Sequence, residues 1–209
     1  MRSENSVEKM DGQDKAQTRE KILDAAASAF SKRGYHDTAV DDIVKASGTS
    51  KGAFYFYFPT KEDIFFALVN KLLERLTSSI EKDASKEKNG LLKMMAAIDA
   101  FFDICYRHQT LAKIVLVGTV GLGRAHDDRL MELHSKFAGV MKGYIDQAVK
   151  EGSLPPMDTE LAAYVWLGAM GEVMVRWLYT GKPASLQSAL PQIRSMVLSS
   201  LQNQSVSKV

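Results

Sequence analysis

Apolar residues return every three or four positions through most of this chain, and that spacing favours helices over any other regular structure. Strict alternation of apolar and polar residues, the mark of a half-buried strand, is scarce. Runs with strand character, such as Ile114–Val117, are too few to build a sheet. Several glycines and prolines fall between the periodic runs. Gly34, Gly48 and Pro59 close short ones, and Gly152 with Pro155-Pro156 and Gly181 with Pro183 separate long ones. The expectation is an all-α fold of about nine helices.

The boundaries follow from local chemistry. Residues 1–13 are polar and charged, so they are expected to form a disordered tail. Asp14 and Gln17 have the spacing of a capping box ahead of Ile22, Ala26, Ala29 and Phe30, which predicts a helix over 15–33 with Gly34 just past its end. Thr38 and Asp41 form a second capping-box candidate, before a short helix that buries Ile43, Val44 and Ala46 and stops at Gly48. Thr49 or Ser50 then caps a helix of about seven residues, which Pro59 ends. Thr60 caps a longer helix with Ile64 or Phe65, Leu68, Leu72 and Leu76 on one face. The polar stretch from Ser78 to Gly90 reads as a break, and further helices are expected at about 91–107, 109–121, 125–151, 158–180 and 186–202. This divides the chain into a tail (1–13), a helix-turn-helix domain (14–60) and a larger helical domain (61–209).

Composition narrows the function. The longest apolar run, Ile114–Leu122, is far too short to span a bilayer, and residues 1–14 lack the apolar core of a secretory signal. The single cysteine, Cys105, excludes an internal disulfide and suits a reducing cytoplasm. The expected protein is soluble, cytoplasmic and free of membrane partners. The net charge of +2 is unevenly spread: residues 15–61 hold eight Lys/Arg against five Asp/Glu, a bias that permits phosphate contact.

Residues 38–61, TAVDDIVKASGTSKGAFYFYFPTK, pair two short helices across Ser47-Gly48-Thr49, which is helix-turn-helix geometry. The second helix of such a pair enters the major groove with its N-terminal residues at the base edges. Here those residues are Ser50, Lys51, Gly52 and Ala53. Lys51 can reach a guanine edge or a phosphate, and Gly52 lets the helix approach closely. In the run Phe54–Phe58, Phe54 and Phe58 share one helical face and are assigned to the core, leaving Tyr55, Phe56 and Tyr57 turned partly outward. Tyrosine hydroxyls beside Lys51 and Lys61 suit phosphates, and the Phe56 ring suits a thymine methyl.

The stretch Ile22–Lys61 resembles the DNA-binding domain of the TetR family. The resemblance rests on Ala26, Phe30, Gly34, Tyr35, Thr38, Ile43, Gly48, Ser50-Lys51-Gly52, Tyr55, Phe58-Pro59 and Lys61-Glu62. It implies three N-terminal helices, a connecting helix and a C-terminal ligand-binding and dimerisation domain. The family's DNA contacts would map onto Thr49, Ser50, Lys51, Gly52, Tyr55, Phe56, Tyr57 and Lys61. Two positions depart from the pattern: Phe56 stands where histidine or tyrosine is common, and Ala39-Val40 where threonine or serine is common.

The resemblance implies a transcriptional regulator, most often a repressor, that binds a palindromic double-stranded DNA operator as a homodimer and is released by a small hydrophobic effector. An activator or a ligand-enhanced repressor of the same fold is the alternative. Candidate effector contacts are Phe101, Phe102, Tyr106, Phe137, Met141, Trp166, Met170 and Met174, since methionine and aromatic side chains adapt to apolar ligands. Each of them also fits an ordinary bundle core. Glu172 and Arg176 lie four apart, suited either to a polar ligand head or to a partly buried structural pair. Gly168, Gly171 and Val175, with Ile193, Val197 and Leu201, are the candidate dimer interface.

An enzyme is the rival class, and its raw material is poor. Cys105 and His108 lack an orienting acid, and His126, Asp127, Asp128, Glu132 and His134 form no compact metal motif. No catalytic residue, cofactor or metal is expected. A helical interaction module that does not bind DNA is the second rival; a steep salt dependence of DNA binding would separate the two.

Overall fold

The computed structural model describes residues 4–117 and 124–202, and among them every regular element is a helix. These are α1 (Glu4–Arg33), α2 (Val40–Ser47), α3 (Lys51–Tyr57), α4 (Lys61–Ala84), α5 (Gly90–Arg107), α6 (Gln109–Val117), α7 (Arg124–Lys150), α8 (Thr159–Thr180) and α9 (Leu186–Gln202). The all-α expectation holds. The expected end of the sixth helix, at residue 121, lies outside the described residues.

Three boundaries differ from expectation. Helix α1 starts at Glu4, within the stretch expected to be a tail. No proline interrupts residues 4–14, and Glu, Lys and Gln are good helix formers, so a helix once nucleated downstream can propagate back through them. Asp14 is therefore interior, and its carbonyl accepts from Thr18 Oγ1. Helix α2 is capped one residue later than expected. Ala39 is its N-cap, and the Asp42 carboxylate, not that of Asp41, accepts from Ala39 N at 3.3 Å. Thr38 is buried instead and donates to the Gly34 carbonyl at 2.7 Å. Helix α4 continues to Ala84 through the stretch read as a break, because Leu76, Ile80 and Ala84 keep one buried stripe beneath a polar surface.

Of the residues expected to be buried in α2 only Ile43 is, Val44 being half-buried and Ala46 exposed, but the caps that follow match expectation. Gly34 and Gly48 adopt the left-handed conformation at φ +85° and +66°, which closes α1 and α2 without the steric penalty a side chain would meet. Thr60 and Asp63 cap each other's backbone at the start of α4, at 3.0 and 3.1 Å. Asp158 caps α8, accepting from Glu160 N and Leu161 N.

The described chain forms two compact units, and α4 leaves the first after Leu73. The first unit contains α1–α3, the early part of α4, and α6. Its core gathers Ile22, Leu23, Ala26 and Phe30 from α1, Ile43 from α2, Phe54 and Phe58, and Phe65 and Leu68 from α4. The second unit is built on α5, apolar almost all round, which packs on α7, α8 and α9. Met94, Ile98, Phe102 and Cys105 of α5 are buried there; each such large side chain contributes roughly 1.5–3 kcal/mol.

At one point α5 and α7 touch through backbone. A Cβ on Gly90 would lie 2.5 Å from the Tyr144 carbonyl oxygen and closer still to Ala148 N. Gly90 N meanwhile donates to Glu151 at 2.9 Å, which holds that carboxyl below its usual range. Backbone cannot move aside as a flexible side chain can. We therefore expect Gly90→Ala to destabilise the protein by about 1–3 kcal/mol, read as a lower midpoint in urea, whereas the control Gly139→Ala, which meets open space within α7, should leave the midpoint equal or higher.

Candidate nucleic-acid interface

Helix α3 is short, and both its ends are defined by side chains or sterics. Ser50 is the N-cap, its hydroxyl accepting from Ala53 N at 3.0 Å, and Phe58 before Pro59 is the extended C-cap. The preceding turn is tied by a 2.7 Å hydrogen bond between the Ser47 and Thr49 hydroxyls. Phe54 and Phe58 are buried as their i, i+4 spacing requires, and Arg19 lies over the Phe58 ring at 5.2 Å. The opposite face is open: Tyr55 is 44% and Phe56 73% exposed, and Phe56 meets the Tyr57 ring edge-on at 5.0 Å. Thr49, Ser50, Lys51, Gly52, Tyr55, Phe56 and Tyr57 thus share one turn and one short helix.

Gly52 carries information because nothing within the chain requires it. Its φ is ordinary for a helix, and a Cβ built there would meet only Ser50 Oγ, at 3.8 Å. Glycine inside a helix costs about 1 kcal/mol relative to alanine.

Lys51 and Lys61 behave differently from each other. Lys51 is exposed and its ammonium pairs with the Asp41 carboxylate at 2.8 Å, which raises the lysine pKa. Lys61 instead points inward. Its ammonium donates to the carbonyls of Tyr35, Thr38 and His36 at 2.8, 3.0 and 3.4 Å and lies 4.3 Å from the centre of the Tyr35 ring. Burial lowers its pKa, partly opposed by Asp37. Three N–H groups meet three acceptors, so Lys61 is occupied by the turn between α1 and α2 rather than turned toward a phosphate as expected. Sequence reasoning could not see this, because the partners lie more than twenty positions away.

The expected effector residues all fall in the second unit. Phe101, Phe102, Met141, Met170 and Met174 are buried, Phe137 and Trp166 are half-buried, and Tyr106 is exposed. Phe101 and Phe137 meet at 6.1 Å, and Tyr106 packs on Trp177 at 5.4 Å. Phe102 and Tyr106 also line an open cleft of about 300 Å³ between α5 and α9, whose other walls include Asp99, Asp103 and Arg194. Asp99 and Arg194 there pair with each other.

Two expectations for the second unit need correction. Val197 and Leu201 are buried within the unit, so they are core and not surface available to a second copy. Exposed apolar side chains sit elsewhere: Leu161, Tyr164 and Val165 on α8, on a face continued by Gly168 and Ala169, and Met196 on α9. Gly171, Val175 and Ile193 are half-buried. Glu172 and Arg176 do pair, at 2.7 Å, but both are well exposed, so theirs is a surface i, i+4 bridge and not a partly buried one.

Cys105 is buried, and burial pushes its thiol up to about 12, the opposite of an activated nucleophile. Among the described residues no His, Cys, Asp and Glu group is placed to hold a metal, and Glu132 pairs with Lys136. His126 and Asp127 lie outside the residues whose side chains are described.

Residues 22–68 match the family model for bacterial regulatory proteins of the tetR family, and residues 88–200, more than half of the chain, match the tetracyclin repressor-like C-terminal domain. The chain belongs to the TetR family of transcriptional regulators. Among curated relatives, the transcriptional repressor KstR2 of Mycobacterium tuberculosis is 26% identical over 192 residues, covering 90% of this chain and 94% of its own. Among solved structures, the fatty acid degradation regulator FadR of Bacillus halodurans superposes with a TM-score of 0.82 at 21% identity, covering 88% of this chain and 96% of its own. FadR of Bacillus subtilis, solved in complex with stearoyl-CoA, gives 0.79 at 21% identity, covering 86% and 97%. These structures share the fold described here, and no described helix is long and apolar enough to cross a membrane.

Two measurements check these placements. Lys61→Met should lower stability by about 1–3 kcal/mol, because the part-buried carbonyls of Tyr35 and Thr38 lose a charged donor; thermal melting reads it. Cys105 should resist iodoacetamide in the native protein and react fully once the chain is unfolded in guanidinium, followed by mass spectrometry.

Proposed function

We propose that this protein is a homodimeric repressor that reads a palindromic operator with α3 and is released by a small hydrophobic effector held in its second unit. Gly52 carries the reading. A glycine that costs helix stability, and that no neighbour in the chain requires, makes sense where an outside surface approaches the backbone. Lys51, Tyr55, Phe56 and Tyr57 surround it, supplying a cation, two phenols and an apolar ring, the mixture that phosphates and base edges call for. Thr49 and Ser50 place backbone N–H groups at the helix start beside a phosphate. Lys61 supports this surface from behind, by holding the turn on which α2 begins.

Dimerisation is supported by the exposed strip on α8. Leu161, Val165, Gly168 and Ala169 offer a narrow apolar band, with small residues that let two helices approach, and Met196 adds to it from α9. A symmetric pair would present two α3 helices to two half-sites, which is why the operator should be palindromic. Long-chain acyl-CoA is the first effector to test, given the stearoyl-CoA complex of the Bacillus subtilis protein and the methionine- and aromatic-rich interior of the second unit. Such a regulator works in the cytoplasm, on chromosomal DNA.

The central experiment is a salt series of binding to the DNA upstream of the protein's own gene, with random competitor present, followed by random-sequence selection if that region is not bound. Binding should be competitor-resistant, and log K should fall against log salt with a slope of about −0.9 for each phosphate contacted. Gly52→Ala should leave the melting temperature equal or higher and weaken operator binding roughly ten- to hundredfold, the effect of one misplaced methyl at a packed contact. Equal operator affinity in that variant would sink the placement of α3 against DNA. Val165→Glu should convert the dimer to monomer in sedimentation, and stearoyl-CoA should release bound DNA.

A further inference from the structure

Asp41 has lost the role its sequence position suggested. Asp42 caps α2, accepting from Ala39 N and from Arg33 Nη1, at 3.3 and 2.8 Å. Asp41, in the same turn, instead projects into solvent with its carboxylate 2.8 Å from the Lys51 ammonium. Both side chains are largely exposed, at 73% and 59%, and they join the first turn of α2 to the first turn of α3. A pair this exposed contributes little to folding. Its placement is the informative part, since it puts a negative charge on the face where Lys51, Gly52 and Tyr55 meet solvent.

We propose that Asp41 is an electrostatic brake on the DNA-binding face, holding Lys51 paired and so weakening its attraction to the phosphates of any duplex. The inference rests on the reading of α3 as the recognition helix. On an arbitrary duplex the attraction is almost wholly electrostatic, so a lysine paired to a carboxylate releases no counterion, and the carboxylate itself repels nearby phosphates. On the operator, base-edge and apolar contacts by Tyr55, Phe56 and Tyr57 supplement the electrostatics. The electrostatic loss is common to both duplexes, so it lowers both affinities by a similar factor and leaves those contacts to set the discrimination.

The test measures binding of wild type, Asp41→Asn, Lys51→Gln and the double variant to a random-sequence duplex and to an operator selected by the wild type, across a salt series. Asparagine keeps the size and hydrogen-bonding capacity of the side chain while removing the charge, and circular dichroism with thermal melting confirms that each variant folds. Asp41→Asn should tighten random-duplex binding several-fold and steepen its salt slope by about 1. Operator affinity should rise by a similar factor, so the ratio of the two affinities changes little. In the Lys51→Gln background the same change should produce a smaller gain and no steepening. An unchanged salt slope on the random duplex overturns the proposal, and so does a selective loss of operator affinity, which would make Asp41 a direct base reader. If the wild type binds no duplex at any salt, the recognition-helix reading fails first, and this proposal with it.

Discussion

Between α1 and α2 the backbone makes a turn that aims the carbonyls of Tyr35, His36 and Thr38 toward one point, and the ammonium of Lys61 occupies that point. The part-buried carbonyls of Tyr35 and Thr38, left without a donor, would each carry a desolvation cost of about 1–3 kcal/mol. One lysine satisfies all three carbonyls, and its contact with the Tyr35 ring carries the link into the core, where Tyr35 meets Phe30 and Phe65 at 5.4 and 5.2 Å. The start of α4 is thereby joined to the end of α1 and the beginning of α2. Since α3 follows α2 after only a capped turn, the exposed face of α3 inherits its position from this cluster.

That arrangement explains how so small a surface can act as a recognition element. Helix α3 has seven residues, too few to be stable alone. Its N-terminus is held by Ser50, its C-terminus by Pro59, and its inner face by Phe54 and Phe58 in the core. What remains for solvent is a rigid display of Lys51, Gly52, Tyr55, Phe56 and Tyr57. An exposed phenylalanine and an unneeded helix glycine both cost something in the free protein, and both become understandable if another molecule covers them.

In the second unit the emphasis reverses. Helix α5 is buried so completely that its methionines and phenylalanines serve the core first. Helix α8 divides its surface instead, burying Ala162, Ala163, Met170 and Met174 while leaving Leu161, Val165 and Tyr179 in solvent. Because its apolar residues lie on every side, periodicity along the chain cannot say which stripe faces inward. On α9 the apolar stripe is turned inward, so Val197 and Leu201 serve the unit's own core, while Met196 beside them and Leu161 on α8 stay in solvent.

The amino-acid sequence by itself determined the helical architecture, most of the helix boundaries, the helix-turn-helix and the family, because spacing, caps, glycines and prolines act over a few residues and leave a legible pattern. It determined as well which aromatics of Phe54–Phe58 face inward, since the geometry of one helix suffices for that. Only the tertiary structure decided where Lys61 and Asp41 point, that Glu172 and Arg176 are exposed, and which face of α8 stays open. Those outcomes depend on groups brought together from distant positions, where a long flexible side chain has several partners within reach. The folded neighbours, and not the local sequence, select among them.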